Sequence, residues 1–262
     1  MRIVVKVGTS TLAYRTGHLN LRRIEELCTV LSDLKNSGND VILVSSGAIA
    51  MGVGKLSLNE RPKDIPTKQA AAAVGQCELM YTYDKLFSEY NHTVAQILIT
   101  GSDVENEERY KNFRNTLDRL LELNVLPIIN ENDTVSTKEI VIGDNDTLAA
   151  IVSKAISADI LVLLSDIDGL YTADPQKSKS AQLIPVVEEV TEEIERLGGG
   201  AGSALGTGGM ATKIHAARIC CDAGIDMIIA NGAKPRLLYG LCDGVPFGTL
   251  FKGKHAPDKE KK

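Results

Sequence analysis

Lys6 and Lys213 stand where a lysine can meet a phosphate. Lys6 lies near the end of the apolar run Ile3-Val4-Val5-Lys6-Val7 and is followed by Gly8-Thr9-Ser10, a turn that offers backbone N–H groups beside the cation. Gly206-Thr207-Gly208-Gly209-Met210-Ala211-Thr212-Lys213 opens a helical pattern. Its glycines permit close approach, its first-turn amides face an anion, and Lys213 falls in that same turn. The plainer alternatives are an edge lysine beside an ordinary turn and a flexible loop before a helix.

A second set of residues suits a zwitterion. Ser45-Ser46-Gly47-Ala48 puts small residues at a helix entry, where amides can meet a carboxylate. Asn130-Glu131-Asn132-Asp133 and Gly143-Asp144-Asn145-Asp146 flank one hairpin-like segment and supply carboxylates for an ammonium and amides for a carboxylate. The structural alternative is Asx turns, with Asn145 or Asp146 capping the next helix. Ser165-Asp166 closes an apolar strand, where the acid can orient lysines or reach a metal. The Tyr171-Thr172 segment beyond it can flank a base or ribose. A turn punctuated by Gly169 and Pro175 is the alternative there.

Other chemistries are excluded. Neither Asp144-Asn145-Asp146 nor Asp166-Ile167-Asp168-Gly169 continues as a calcium loop, the latter having Leu170 at the fifth position and Lys177 where Glu is required. Gly54-Lys55-Leu56 does not complete a Walker A motif. Gly206-x-Gly208-x-x-Ala211 fits the looser dinucleotide fingerprint, but no strand precedes it, which disfavours a nicotinamide dehydrogenase. The four histidines share no motif, and no Ser-His-Asp arrangement or cysteine nucleophile stands out. With 29 basic against 34 acidic residues, a net charge of −5, 4% aromatics and no Trp, the chain has no composition for gripping nucleic acid. Five scattered cysteines without a C-x-x-C pair suit a reducing compartment. No signal peptide and no membrane span is expected, so the reading is cytoplasmic.

The elements that must position these groups alternate between β-branched runs and helical patterns. Strands are expected at 2–7, 41–44, 94–99, 125–129, 160–164, 184–187, 227–230 and 248–251. Helices are expected after Asn20, at 67–89, 109–123, 146–158, 191–197, 209–223 and 235–242, with a small hairpin at 134–143. The fold class is therefore α/β, a three-layer α/β/α sandwich around a mostly parallel central sheet. In such sheets ligands lie beyond the carboxyl ends of the strands, where the polar residues above fall. Residues 1–253 form one domain. Its N-terminal lobe is expected to take a small acid and its C-terminal lobe, from about 160, a nucleotide; 197–208 reads as a glycine-rich lid and 254–262 as a solvated tail.

Lys6-Val7-Gly8-Thr9-Ser10, Ser46-Gly47-Ala48-Ile49-Ala50, Gly143-Asp144-Asn145-Asp146, Gly169-Leu170-Tyr171-Thr172-Ala173-Asp174-Pro175 and Gly206-Thr207-Gly208-Gly209-Met210-x-Thr212-Lys213 together resemble the glutamate 5-kinases of the amino acid kinase superfamily. The likeness runs in order from about residue 2 to residue 251. It implies ATP-dependent phosphorylation of the glutamate side-chain carboxylate, the first step of proline biosynthesis, with Mg²⁺. It further implies homo-oligomerisation and inhibition by proline. By the resemblance, Lys6, Ser165, Asp166, Thr207, Gly208, Gly209, Met210, Ala211, Thr212 and Lys213 bind ATP, while Ser46, Asp133 and Asn145 bind glutamate. Lys6 and Lys213 are the expected catalytic cations and Asp166 the group that holds them; no metal ligands are assigned. Many bacterial members carry a further C-terminal RNA-binding-type (PUA) domain, and this chain stops soon after Phe251. The rival readings are an acetylglutamate or aspartate kinase of the same superfamily, or a catalytically silent nucleotide or amino-acid sensor.

Overall fold

The computed structural model describes residues 1–14, 16, 18–135, 144–199 and 209–254. In chain order the elements are β1 (Arg2–Val7), α1 (Thr9–Leu12), α2 (Leu21–Asn36), β2 (Asp40–Ser45), α3 (Ala48–Lys55), α4 (Ile65–Ser88), β3 (Val94–Ile99), α5 (Gly101–Glu105), α6 (Glu107–Glu122) and β4 (Leu126–Glu131). They continue as α7 (Asn145–Ala155), β5 (Ile160–Ser165), β6 (Val186–Val187), α8 (Glu192–Leu197), α9 (Met210–Asp222), β7 (Asp226–Asn231), a 3₁₀ turn (Pro235–Tyr239), α10 (Gly240–Asp243) and β8 (Thr249–Phe251).

The strands make one sheet in the order β3-β4-β2-β1-β5-β7-β8-β6. Every neighbouring pair is parallel except β7–β8. β1 is central, with Val7 opposite Ser45 of β2 and Leu164 of β5. The chain leaves β1 toward β2 on one side and later returns to its other side as β5, so a crevice opens at the carboxyl ends of these strands.

Helices cover both faces. Val4 of β1 packs with Leu148 and Val152 of α7, Ile214 and Ala217 of α9, and Phe113 and Leu117 of α6. Ile3, Val5 and Val7 point the other way, into a core with Ile24, Leu27 and Leu31 of α2 and Leu79, Tyr83 and Phe87 of α4. Strand side chains alternate between faces, so Lys6 must join Val4 on the side of α7 and α9. That alternation alone aims the ammonium between those two helices.

The Ala-rich start of α4 lets α3 approach it backbone to backbone. A Cβ on Gly75 would lie 1.7 Å from the Ala48 carbonyl oxygen, and one on Gly52 would lie 1.8 Å from that of Ala71. α3 begins at Gly47, whose φ of +109° is a left-handed conformation that glycine adopts without strain. The crossing thus fixes the Ser46-Gly47 turn. Gly75→Ala is expected to cost roughly 3 kcal/mol by overpacking, lowering Tm by about 5–10 °C in thermal melts.

The structure departs from the sequence expectation in places. The segment at 184–187 pairs only over Val186–Val187, because Pro185 has no N–H for a ladder bond and contributes only its carbonyl, to Leu250 N. The cap of α7 is Asp144, which accepts from the N–H groups of Asp146 and Thr147, both at 2.8 Å; Asn145 and Asp146 are already inside the helix. α5 was not anticipated; it is one turn closed by a capping box between Thr100 and Asp103. Residues 136–143 of the expected hairpin, 200–208 of the expected lid and 255–262 of the expected tail lie outside the described residues.

Candidate active site

Asp146 joins the two lysines. Its Oδ2 accepts from Lys213 Nζ at 2.9 Å. Lys6 Nζ lies 2.7 Å from Oδ1, off the direction of an aligned hydrogen bond, so charge attraction more than directed bonding holds it. Lys6, Lys213 and Asp146 are 7%, 5% and 1% exposed, so none of the three charges is screened by bulk water. Burial alone would push the Asp146 carboxyl up; the two ammoniums outweigh it and hold the group below its usual range. Together the three groups carry one net positive charge, placed at the end of β1 and the start of α9.

The expectation that Asp166 holds the lysines is corrected here. Asp166 is exposed, and its carboxylate accepts from Ser165 Oγ at 3.2 Å. The physical reason is topology: Asp166 lies beyond the end of β5, whereas Asp146, in the first turn of α7, lies on the face of the sheet toward which Lys6 points. Thr212 Oγ1 also reaches Asp146 Oδ2, at 2.9 Å, and the Gly209 carbonyl at 2.7 Å. α9 enters at Gly209 without a side-chain cap, which leaves its first amides available to an anion.

On one side of the lysine pair a cleft of about 490 Å³ opens along Ser165, Asp166, Tyr171, Gly209, Met210 and Lys213. It gathers Ser165, Asp166, Gly209, Met210 and Lys213 of the expected nucleotide set, whereas Lys6, Ala211 and Thr212 do not line it and Thr207 and Gly208 lie outside the described residues. A larger cavity of about 870 Å³ lies at the opposite, amino ends of β5 and β7 beside Met1 and Gly224, and none of the expected site residues lines it.

On the other side lies the expected acid-binding set. Asn145 Nδ2 donates to Ser46 Oγ at 2.8 Å and to Asn130 Oδ1 at 3.0 Å, so two of the three residues meet directly. Asp133 is half-buried just past β4. Burial first, and then the neighbouring Glu131 carboxylate, push its carboxyl up to about 6, against the opposing pull of the Arg61 guanidinium. An acid so placed gains most when a cation arrives beside it.

Sequence reasoning placed Asn130 and Asp146 only within the polar clusters, gave Asp146 no part beside the lysines, and passed over Gln76. The signal for Asp146 was its adjacency to Asn145. Successive helical residues point about 100° apart, so Asn145 can face Ser46 and Asn130 while Asp146 faces the lysines. Among the described residues, no group of three or more His, Cys, Asp or Glu side chains is placed to hold a metal ion. No helix among them is long and apolar enough to cross a membrane.

A model of the amino acid kinase family matches residues 1–231. The chain is 53% identical over 257 residues to the glutamate 5-kinase of Clostridium perfringens, covering 97% of this chain and 96% of that protein. It is 57% identical over 249 residues to the glutamate 5-kinase of Clostridium tetani, with 95% and 93% covered. The chain belongs to the amino acid kinase family, among its glutamate 5-kinases. A glutamate 5-kinase of Thermoanaerobacter pseudethanolicus is 51% identical over 262 residues, all of this chain and 70% of that protein. The amino acid kinase fold is seen again in a carbamate kinase from Giardia lamblia bound to AMP-PNP (TM-score 0.68, 14% identity, 97% and 98% of the two chains). A UMP kinase from Bacillus anthracis also shares it (TM-score 0.64, 15% identity, 97% and 96%). The chain is a kinase, and the fold it shares with these enzymes positions the lysines, the crevice and the polar strand ends described above.

Proposed function

We propose that this kinase transfers the γ-phosphoryl group of ATP to the side-chain carboxylate of L-glutamate, giving L-glutamyl 5-phosphate and opening proline synthesis. The observation that carries the reading is the Lys6–Asp146–Lys213 cluster, with a cleft lined by Ser165, Gly209 and Met210 beside Lys213 and the Ser46–Asn145 contact beside Asp146. The relatives' shared name supports glutamate as the acceptor. Neither an acetylglutamate nor an aspartate kinase is among the relatives named above.

The chemistry asks little of the protein beyond placement. A glutamate side chain has a reference pKa of about 4.3, so the acceptor is ionised near neutral pH and no general base is needed. The barrier comes from bringing an anion to a polyphosphate, and positioned cations lower it. Lys6 and Lys213 neutralise the migrating phosphoryl group from two sides, while Asp146 keeps both ammoniums on the same line of approach. Mg²⁺ brought with ATP would offset phosphate charge. Lys213 and the open first amides of α9 would face the phosphates, and the Asp166 and Asp168 carboxylates on the same cleft would face the ion. In this reading nucleotide sits over the carboxyl ends of β5 and β7 and the start of α9, within 160–253, and glutamate over β2, β4 and α7. Asp166 lines the nucleotide side. Proline would compete at the glutamate side, the enzyme is a homo-oligomer, and it works in the cytoplasm, where cysteines that form no disulfide are at home.

Asp133 gives the reading a pH signature. The substrate ammonium favours ionised Asp133, so affinity for glutamate falls as pH drops through about 6. KM for glutamate is expected to rise up to tenfold per unit below that point, as for any single ionisation required for binding. Asp133→Asn should raise KM at pH 8 and erase the inflection; an unchanged KM would place the ammonium elsewhere. The same shift has a stability sign. A carboxyl raised from 3.8 to about 6 on folding makes the fold lose stability as pH climbs between those values. Asp133→Asn should therefore raise Tm at pH 8 while it impairs binding.

The function itself is tested by trapping the acyl phosphate with hydroxylamine. Glutamyl hydroxamate should accumulate from L-glutamate, ATP and Mg²⁺. Hydroxamate from aspartate or acetylglutamate alone would transfer the chain to one of those activities, and none from any acid would mark a silent sensor.

A further inference from the structure

Four side chains, from α4, β4, α7 and the turn after β2, form one hydrogen-bonded chain that ends at Ser46. Gln76 of α4 accepts at Oε1 from Asn130 Nδ2 at 2.9 Å. Asn130 Oδ1 accepts from the Glu131 backbone N–H at 2.9 Å and from Asn145 Nδ2 at 3.0 Å. Asn145 Nδ2 donates onward to Ser46 Oγ at 2.8 Å and, at 3.4 Å, faces the Ser45 carbonyl.

Two backbone groups fix the sense of this chain. The Glu131 N–H can only donate, so the Asn130 atom facing it is the oxygen. The Ser45 carbonyl can only accept, so the Asn145 atom facing it is the nitrogen. Asn130 Nδ2 is then turned toward α4 and needs an acceptor there, in a region where Asn130 is 3% and Gln76 8% exposed. Water is a poor substitute at that depth, and a buried donor left without a partner is costly. At the other end Ser46 Oγ already accepts from Asn145, so its own proton is left to give. None of these contacts uses Asn145 Oδ1.

We propose that Gln76 is a positioning residue for the acceptor substrate. With the sense set by those two backbone groups, it anchors Asn130 Nδ2 and so steadies Asn145 with nitrogen toward Ser46, which presents the Ser46 hydroxyl as a donor to a substrate carboxylate and Asn145 Oδ1 as an acceptor for a substrate ammonium. This rests on the reading that glutamate lies at Ser46 and Asn145. Gln76 meets Asn130 and none of the expected glutamate-binding residues, so its part in substrate recognition is indirect.

Two substitutions separate hydrogen bonding from packing. Gln76→Met keeps length and volume but removes the acceptor; Gln76→Glu keeps an acceptor oxygen in either protonation state. Hydrogen bonding predicts that Gln76→Met raises KM for glutamate by about tenfold, the size of one lost buried bond, with kcat and KM for ATP little changed. Gln76→Glu should rescue KM to within roughly threefold of wild type. A packing role predicts the reverse order, Met tolerated and Glu disruptive, and that order would overturn the proposal. Should Gln76→Met not fold, the wild type still decides. NMR should find the Asn130 side-chain amide protons protected from solvent exchange, and rapid exchange would contradict the chain. A wild type that phosphorylates no glutamate removes the underlying reading and the proposal with it. An active wild type with both variants unchanged removes only the role of Gln76.

Discussion

Asp146→Asn should abolish turnover and destabilise the protein by about 3–5 kcal/mol, the usual cost of leaving a buried charge without its partner. Two ammoniums held at 2.7 and 2.9 Å from one carboxylate would then face each other unscreened. Either they repel and leave the end of β1, or one gives up its proton; both outcomes remove the cation pair. Asp166→Asn is the informative control. As a surface change it should leave stability within about 0.5 kcal/mol. Urea melts of the two variants, read beside kcat, check the assignment. Loss of stability and turnover in Asp166→Asn, with Asp146→Asn unaffected, would return the holding role to Asp166. Acid should act on Asp146 in the same direction as the mutation. Its carboxyl is held low in the fold, so its contribution is present at neutral pH and is lost only as pH falls through that lowered value.

Lys6→Ala and Lys213→Ala should each lower kcat by roughly 10²–10³-fold, the range found when one preorganised charge-stabilising donor is removed. KM for glutamate should move only a few-fold, because Ser46, Asn145 and Asp133 stay in place. Either variant should be more stable than Asp146→Asn, since one lysine and the aspartate remain as a neutral pair. Steady-state kinetics with glutamate and ATP varied in turn separates these effects. Near wild-type turnover in both variants would take the lysines out of the reaction.

Much of this was legible from residue types alone. β1 was readable because Ile3, Val4, Val5 and Val7 form a β-branched run, and its period of two already fixed which face carries Lys6. The cap at Asn20, whose side chain accepts from Arg23 N, was equally plain. The two lysines stood out as cations beside glycine-rich turns, whereas Ser46 and Asn145 were singled out as glutamate contacts only by the resemblance to the glutamate 5-kinases. Asp146 was obscured by its surroundings: in Asp144-Asn145-Asp146 a helix cap, an amide bonded to Ser46 and Asn130, and a lysine clamp look alike in one dimension. Gln76 and the glycines at 52 and 75 were hidden for another reason. Their roles depend on which helix crosses which at what distance, and only α3 lying against α4 reveals them. The shortening at 184–187 was readable in principle from Pro185.

The claim that the two ammoniums act on the migrating phosphoryl group can be measured directly with MgADP and aluminium fluoride, which together mimic that group in flight. In calorimetric titrations with L-glutamate present, the wild type should bind this mixture far more tightly than MgADP alone. Lys213→Ala should lose that gain while still binding MgADP. If the variant binds the mimic as tightly as the wild type does, Lys213 holds Asp146 and nothing more, and charge neutralisation by the lysine pair is not how this kinase works.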